Sequence, residues 1–329
     1  MTCQTLSLKT ILATMAALVI ALATGATRAQ DDFPTRPVRI IVPFPPGGSA
    51  DAIARAVGQK LSAKWKQPVV VENKPGAGTV IGTDAVAKSR PDGYTLGVIN
   101  ASYTSNPSLR VKMPYDTLND LVGVAPLASL RIVFLVHPSV SANTIPELVE
   151  LSMKKPINFG SPGVGTGTHL AGELLNLTSG SKLNHVAYKG SAPAVADLLG
   201  GHIDMLIDVF TETNAQYVRA GKLKMIAITG DERLKDFPNV ALLREAYPGI
   251  KLPGFLGLIA PAGIPRPLLA KINADVVAAT QSVDLSEQIA SMGLESSNDP
   301  ADPERFNAML RSEIIKWEKV IKAAGIQAE

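Results

Sequence analysis

Cysteine is almost missing, which excludes disulfide and thiol chemistry. The chain has 329 residues and one cysteine, Cys3. Cys3 stands ahead of an apolar N-terminal run, so it cannot become a lipidated mature N-terminus. Removing that run leaves no cysteine, and stability must then come from a packed core. Aromatic residues are few, 5% of the chain, too few for a platform that stacks bases or sugars. Neither sign of charge dominates, with 32 basic and 29 acidic residues, so nucleic acid is not an expected partner. Catalytic signatures are missing as well. There is no Gly-x-x-x-x-Gly-Lys-Ser/Thr and no Gly-x-Ser-x-Gly, hence no phosphate loop and no serine-hydrolase elbow. His137, His169, His185 and His202 fall on four separate elements without metal-ligand spacing. No metal and no cofactor is expected.

What is present begins with a leader. Lys9 gives a positive start, Ile11 to Thr24 is apolar, and Thr27-Arg28-Ala29 offers small residues at the −3 and −1 positions. This reads as a secretory signal peptide, residues 1–29, cut near Ala29. The apolar run falls short of the ~20 residues a membrane span needs. About 300 residues remain, enough for two lobes with cores of their own. The leader takes Lys9 and Arg28 with it, so the net charge falls from +3 to about +1.

The pattern around which the chain is organised is a strand, a glycine turn and a helix start. Arg39 to Val42 is a β-branched run, Pro43, Pro45 and Pro46 end it, and Gly47-Gly48-Ser49 leads into a helix with Ile53, Val57 and Leu61 on one face. A second copy runs from Ile157 through Gly160-Ser161-Pro162-Gly163-Val164-Gly165-Thr166-Gly167-Thr168 into a helix with Leu170, Leu174 and Leu177. A glycine turn feeding a helix N-terminus presents free N–H groups, which suit an anion. Two such corners facing each other would hold a small anion between them. Gly163 to Gly167 is not a dinucleotide fingerprint. It lacks the third glycine, and His185-Val186-Ala187 stand about twenty residues on, where an acid is needed.

Strands and helices alternate elsewhere. Strands are expected at 68–72, 94–99, 121–127, 132–136, 184–188, 203–210, 223–229 and 254–260, and closing helices at 266–282, 285–292 and 303–324. The chain is expected to cross between lobes near Ser129 to Arg131. Residues 30–130 with 253–329 would form one lobe and 131–252 the other. His169, in a first helical turn, reads as a packed side chain closing its loop rather than as a ligand contact or pH switch.

Several stretches, in order, resemble one family. Pro43 to Asp51, Val71-Glu72-Asn73-Lys74-Pro75-Gly76-Ala77-Gly78, Pro91-Asp92-Gly93-Tyr94-Thr95-Leu96, Gly163 to Leu170, Tyr188-Lys189-Gly190 and Ala260 to Pro265 are similar to segments of the Bug family. These are the substrate-binding proteins of tripartite tricarboxylate transporters. The similarity covers essentially the whole chain after the leader. One departure is Phe255-Leu256, where the family often carries tryptophan.

The resemblance implies an α/β fold of the type II periplasmic-binding-protein kind. It has two lobes, each a mixed, mostly parallel sheet flanked by helices, with the ligand cleft between them. It implies a periplasmic, monomeric, non-enzymatic protein that closes on a small carboxylate (a di- or tricarboxylate, an amino acid or an aromatic acid). Its partners would be the membrane subunits of the transporter. Carried onto this chain, the grip falls on the loop Phe44 to Ser49, with Pro46, Gly47 and Gly48, in the first corner, and on the loop Ser161 to Thr168, with Gly165, Thr166 and Gly167, in the second; Asp51 is a candidate at the helix start behind the first loop. Phe44, Asn100, Ser102, Tyr103 and Asp208 are nominated as the walls that set selectivity. Asp51 would repel a carboxylate, and it or Asp208 becomes a partner only for an ammonium group. Two rival readings are a sensor subunit for the same ligand and a periplasmic enzyme. The latter needs a nucleophile with a positioned base, and none is visible.

Overall fold

The computed structural model describes residues 33–252, 254–297 and 302–326. The expected signal peptide lies outside the described residues. The first part of the chain runs β1 (Val38–Val42), α1 (Ser49–Trp65), β2 (Val69–Asn73), α2 (Val80–Ala87), β3 (Thr95–Ile99), α3 (Ala101–Leu109) and β4 (Leu121–Leu130). Then follow β5 (Ile132–Val136), α4 (Ile145–Lys154), β6 (Ile157–Ser161), α5 (Gly167–Ser179), β7 (Leu183–Ala187), α6 (Ser191–Leu199), β8 (Met205–Val209), α7 (Glu212–Arg219) and β9 (Lys224–Ile228). The chain closes with α8 (Leu243–Ala246), β10 (Gly254–Pro261), α9 (Arg266–Thr280), α10 (Val283–Ser291), β11 (Glu295–Ser296) and α11 (Pro303–Ala323).

Two mixed sheets result, in the orders β11-β4-β10-β3-β1-β2 and β7-β6-β8-β5-β9. Both are mixed and mostly parallel by strand direction: β1, β2, β3 and β4 run one way in the first, and β6, β7, β8 and β9 in the second. In the first sheet β1 pairs parallel with β2 and β3, while β10 runs antiparallel to β3 and β4, and β11 to β4. In the second, β6 pairs parallel with β7 and β8, and β5 runs antiparallel to β8 and β9. Strands β4 and β5 are consecutive in sequence and belong to different sheets; the strands that run against the rest are β10 and β11 in the first sheet and β5 in the second.

The two sheets share a plan. In each, one strand lies between the two strands that follow it along the parallel stretch: β1 between β2 and β3, β6 between β7 and β8. That strand is a topological switch point, where a crevice opens at the carboxyl ends of an α/β sheet. Both glycine corners leave from it. β1 is held by Val38, Ile40, Ile41 and Val42, all buried, and α1 covers it with Ile53, Val57 and Leu61. Phe134, Phe159, Leu148 and Leu170 fill the matching space in the second lobe. Helix α11 serves both cores. Phe306 and Leu310 pack with Ile41, Val80 and Tyr103, whereas Trp317, Val320 and Ile321 pack with Phe134 and Phe159. No helix among the described residues is long and apolar enough to cross a membrane.

Candidate functional site

The first corner is Pro43 to Ser49. Gly47 sits at φ +89°, a left-handed conformation that suits glycine. Its N–H donates to Asp51 Oδ2 at 3.0 Å. Asp51 is buried and saturated. Its Oδ2 also accepts from Arg55 Nε at 3.0 Å, and its Oδ1 accepts from Asn73 Nδ2 and Arg55 Nη2, both at 2.9 Å. Asn73 additionally donates to the Phe44 carbonyl at 3.1 Å, so it ties the corner to the end of β2. The Asp51 carboxyl is held at about 2, chiefly by the Arg55 hydrogen bond, with the Gly47 and Asn73 bonds overcoming the opposing effect of burial.

What this brace leaves free is the start of α1. Gly48 is its N-cap and supplies no side-chain acceptor. The first intrahelical bond runs from Ala52 N to Gly48 O at 2.9 Å. The amides of Ser49, Ala50 and Asp51 therefore precede any α-helical partner. Pro46, Gly47, Gly48 and Ser49 are exposed, and a Cβ added at Gly47 or Gly48 would meet nothing within 4 Å. Open space thus lies against a positive helix end.

The second corner is built alike and filled differently. Gly165, at φ +73°, donates its N–H to His169 Nδ1 at 3.0 Å. That bond requires the tautomer protonated on Nε2, the nitrogen facing Glu173 Oε1 at 3.6 Å. His169 stacks on His185, ring centroids 3.7 Å apart, and His185 Nε2 meets Ser161 Oγ at 2.7 Å. Burial, then the neighbouring His169, push His185 down to about 4. Thr166 caps α5 by accepting His169 N at 3.3 Å. Its hydroxyl also bonds the Gly163 carbonyl at 2.8 Å and meets Thr168 Oγ1 at 3.0 Å.

The outer side of this corner meets the other lobe. Ser105 Oγ of α3 donates to the Gly165 carbonyl at 3.2 Å. A Cβ on Gly165 would come within 2.3 Å of Leu109 Cδ1, and one on Gly167 within 3.2 Å of Ala101 Cβ.

The nominated residues separate accordingly. Gly48, Ser49 and Pro46 surround the open helix start, with Phe44 half-buried beside them. Asn100 caps α3 by accepting Ser102 N at 3.0 Å. The α3 N-terminal turn and the second corner come together through Ala101 and Gly167. Asp51 and Ser161 are internal braces. Tyr103 is corrected. It is 3% exposed and packs in the first core, and its hydroxyl donates to the Thr117 carbonyl at 2.7 Å, so it forms no wall. Asp208, buried at the end of β8, accepts Ser191 Oγ at 2.9 Å and Val209 N at 2.8 Å through Oδ1. Burial pushes its carboxyl up, and those bonds oppose the shift.

Sequence reading missed Arg55, Ser105 and Leu109 altogether. It placed no helix after Asn100, because Ser, Thr, Asn and Pro107 fill α3 and give no apolar period. The Asn100 cap two residues before Ser102 was the one available signal.

A cavity of about 480 Å³ also opens beside the crossover strands, lined among others by Arg131, Gly230, Phe255, Glu295 and Glu313. It includes no residue of either corner. Arg131 spans it, bonding Glu295 and the Glu232 carbonyl, so its charge is already engaged. Among the described residues no three His, Cys, Asp or Glu side chains converge as a metal site.

Comparison with known proteins gives consistent matches. The family model described as "Tripartite tricarboxylate transporter family receptor" (TctC) matches residues 53–326. Protein BugT of Bordetella pertussis is 34% identical over 320 residues, covering 96% of this chain and 97% of that protein. Among solved structures, an R. palustris protein with adipate superposes with a TM-score of 0.75 at 29% identity, covering 90% of this chain and 100% of that one. MatC from Rhodopseudomonas palustris with bound malate gives 0.72 at 29% identity, over 88% and 100%.

Proposed function

The chain belongs to the tripartite tricarboxylate transporter receptor family, the TctC or Bug-type binding proteins, and from that premise we propose that it captures a small carboxylate between its lobes and passes it to the membrane subunits of such a transporter. It works in the periplasm after losing its leader near Ala29. The lobes are 30–130 with 253–329, and 131–252, and the protein acts as a monomer.

The observation that carries this reading is the uncapped start of α1 at the switch point of the first sheet. A carboxylate there accepts charge-assisted N–H bonds and lies in the field of the helix. Such a helix end contributes ~0.3–1 kcal/mol when exposed and up to ~2 when partly buried. Gly48 and Ser49 hold the carboxylate, and Phe44 and Pro46 flank it. Asn100 and Ser102 approach from α3. Gly165, Thr166, Gly167 and Thr168 close from the second lobe, and Asp208 selects among ligands by the hydrogen-bond donor they present to it. Binding shifts the population toward the state in which the lobes meet, through contacts made only there. Malate and adipate, carried by two relatives, make four- to six-carbon dicarboxylates the first acids to try.

The test is a thermal-shift panel of di- and tricarboxylates, acidic amino acids and aromatic acids on the leaderless protein. A ligand at 100 times its Kd adds ~2.7 kcal/mol of stability. One chemical subclass is expected to give large shifts. No shift from any acid, with no acid released from denatured protein by mass spectrometry, would overturn the carboxylate reading.

A further inference from the structure

The braces of the two corners differ in the charge they carry. Gly47 N–H ends on a carboxylate; Gly165 N–H ends on an imidazole nitrogen that accepts only while it is unprotonated. Imidazole is the ordinary side chain whose charge changes near neutral pH. Protonation would turn Nδ1 into a donor facing another donor, the Gly165 amide. Gly165 is also the residue whose carbonyl receives Ser105 from the opposite lobe and whose bare Cα leaves room for Leu109.

We propose that His169 is a positioning residue, holding Gly165 in the shape that lets the lobes meet, and that acid releases this corner and not the other. The proposal rests on the functional reading only in calling the released contact part of a ligand clamp.

The surroundings single out His169. Its own helix brings Glu173, whose Oε1 lies 3.6 Å from Nε2. From β7 comes His185, stacked on it and kept neutral chiefly by burial. β6 brings Phe159 and Ser161 and no charged group. Asp208 on β8 is engaged by Ser191 and Val209. α3 contributes Ser105 and Leu109, both uncharged. The buried acid of α11, Glu313, is paired with Lys316 at 2.6 Å. The first corner has no counterpart: Asp51 stays ionised until about pH 2.

The experiment uses ligand-free protein, by ¹⁵N NMR and amide exchange from pH 8 to pH 5. His169 Nδ1 is expected to show an unprotonated acceptor shift at pH 8. As it protonates, protection of the Gly165 amide should fall in step, while the Gly47 amide keeps its protection. His169→Asn retains an acceptor oxygen near the Nδ1 position and cannot titrate, so its Gly165 amide should stay protected throughout. With malate as probe, wild-type affinity should fall by at most about tenfold per pH unit, the limit for one linked proton. In His169→Asn that fall should be removed, both proteins sharing malate's own titration. Protection of Gly165 that persists through His169 protonation would overturn the proposal. Failure of malate to bind would count against the ligand reading alone, since the amide measurements stand without it.

Discussion

The first and second corners are near copies in backbone and opposites in chemistry. Each follows the central strand of its parallel trio. In each, a left-handed glycine donates its N–H to the side chain four residues on, Asp51 or His169. That side chain meets a charged group four residues further, Arg55 beside the Asp51 carboxylate and Glu173 beside the neutral His169. The capping then diverges. Thr166 satisfies an amide of α5 from within the protein, whereas Gly48 leaves those of α1 without a side-chain acceptor. So does the space: nothing stands near Gly47 or Gly48, while Leu109 and Ala101 crowd Gly165 and Gly167. The lesson is that repetition of a fold element does not imply repetition of its job. One corner leaves the first amides of its helix without a side-chain acceptor, and the other has one of them capped by Thr166 and offers a surface to the opposite lobe. Their acid limits differ as well. Asp51 has a folded value below its unfolded one, so its contribution is complete above about pH 4 and is lost as pH falls through about 2.

The largest expected effect breaks the first corner by charge. Gly48→Asp places a carboxylate where the ligand's should lie. Affinity for any acid found by the panel is expected to fall at least about 100-fold, roughly 2.7 kcal/mol. Thermal stability should hold or rise slightly, because Asp is a good N-cap and the site has room. Calorimetric titration beside a melting curve reads both. Unchanged affinity would remove the helix start from the site.

The second corner should break by shape instead. Gly165→Ala forces a side chain into φ +73° and against Leu109. We expect a loss of about 1–3 kcal/mol in denaturant unfolding. Adding Leu109→Ala to this variant should recover the steric part and leave the backbone strain. That coupling is measurable in a double-mutant cycle. Additive losses would mean that the lobes do not meet at Gly165 in solution.

How much of this was legible in the sequence follows from the kind of signal each feature leaves. Both corners were readable, because a β-branched run, prolines and paired glycines each have a local cause. The packing of His169 was readable too, though not the bond it accepts from Gly165. Arg55 was not, since an exposed-looking basic residue on a helix carries no mark of the acid it pairs with. Asn73 was visible as part of a motif but not as the bridge between Phe44 and Asp51. That role depends on β1 and β2 lying side by side. Helix α3 was lost because its polar residues lack an apolar period, and its stability comes from packing against α11 and the second corner. Tyr103 went wrong for the same reason: without α3, the face it occupies could not be assigned.

The smallest effect is the most diagnostic, because its sign decides. Exchanging the caps means Gly48→Ser in one variant and Thr166→Gly in another. On fold stability these should act in opposite directions, each by only a few tenths of a kcal/mol. On affinity they should not mirror each other. A serine at 48 offers its hydroxyl to amides that a bound carboxylate would otherwise use, so binding should weaken several-fold although the fold is no less stable. Removing the Thr166 hydroxyl frees an amide that lies inside its own loop, beside Thr168 and His169, and binding should change little. Weaker binding with a firmer helix is hard to obtain from a purely structural turn. It is the expected signature of a helix end left uncapped for a ligand. Equal and parallel changes in the two variants would show that the corners share one role, and the asymmetry drawn from Gly48 and Thr166 would then be wrong.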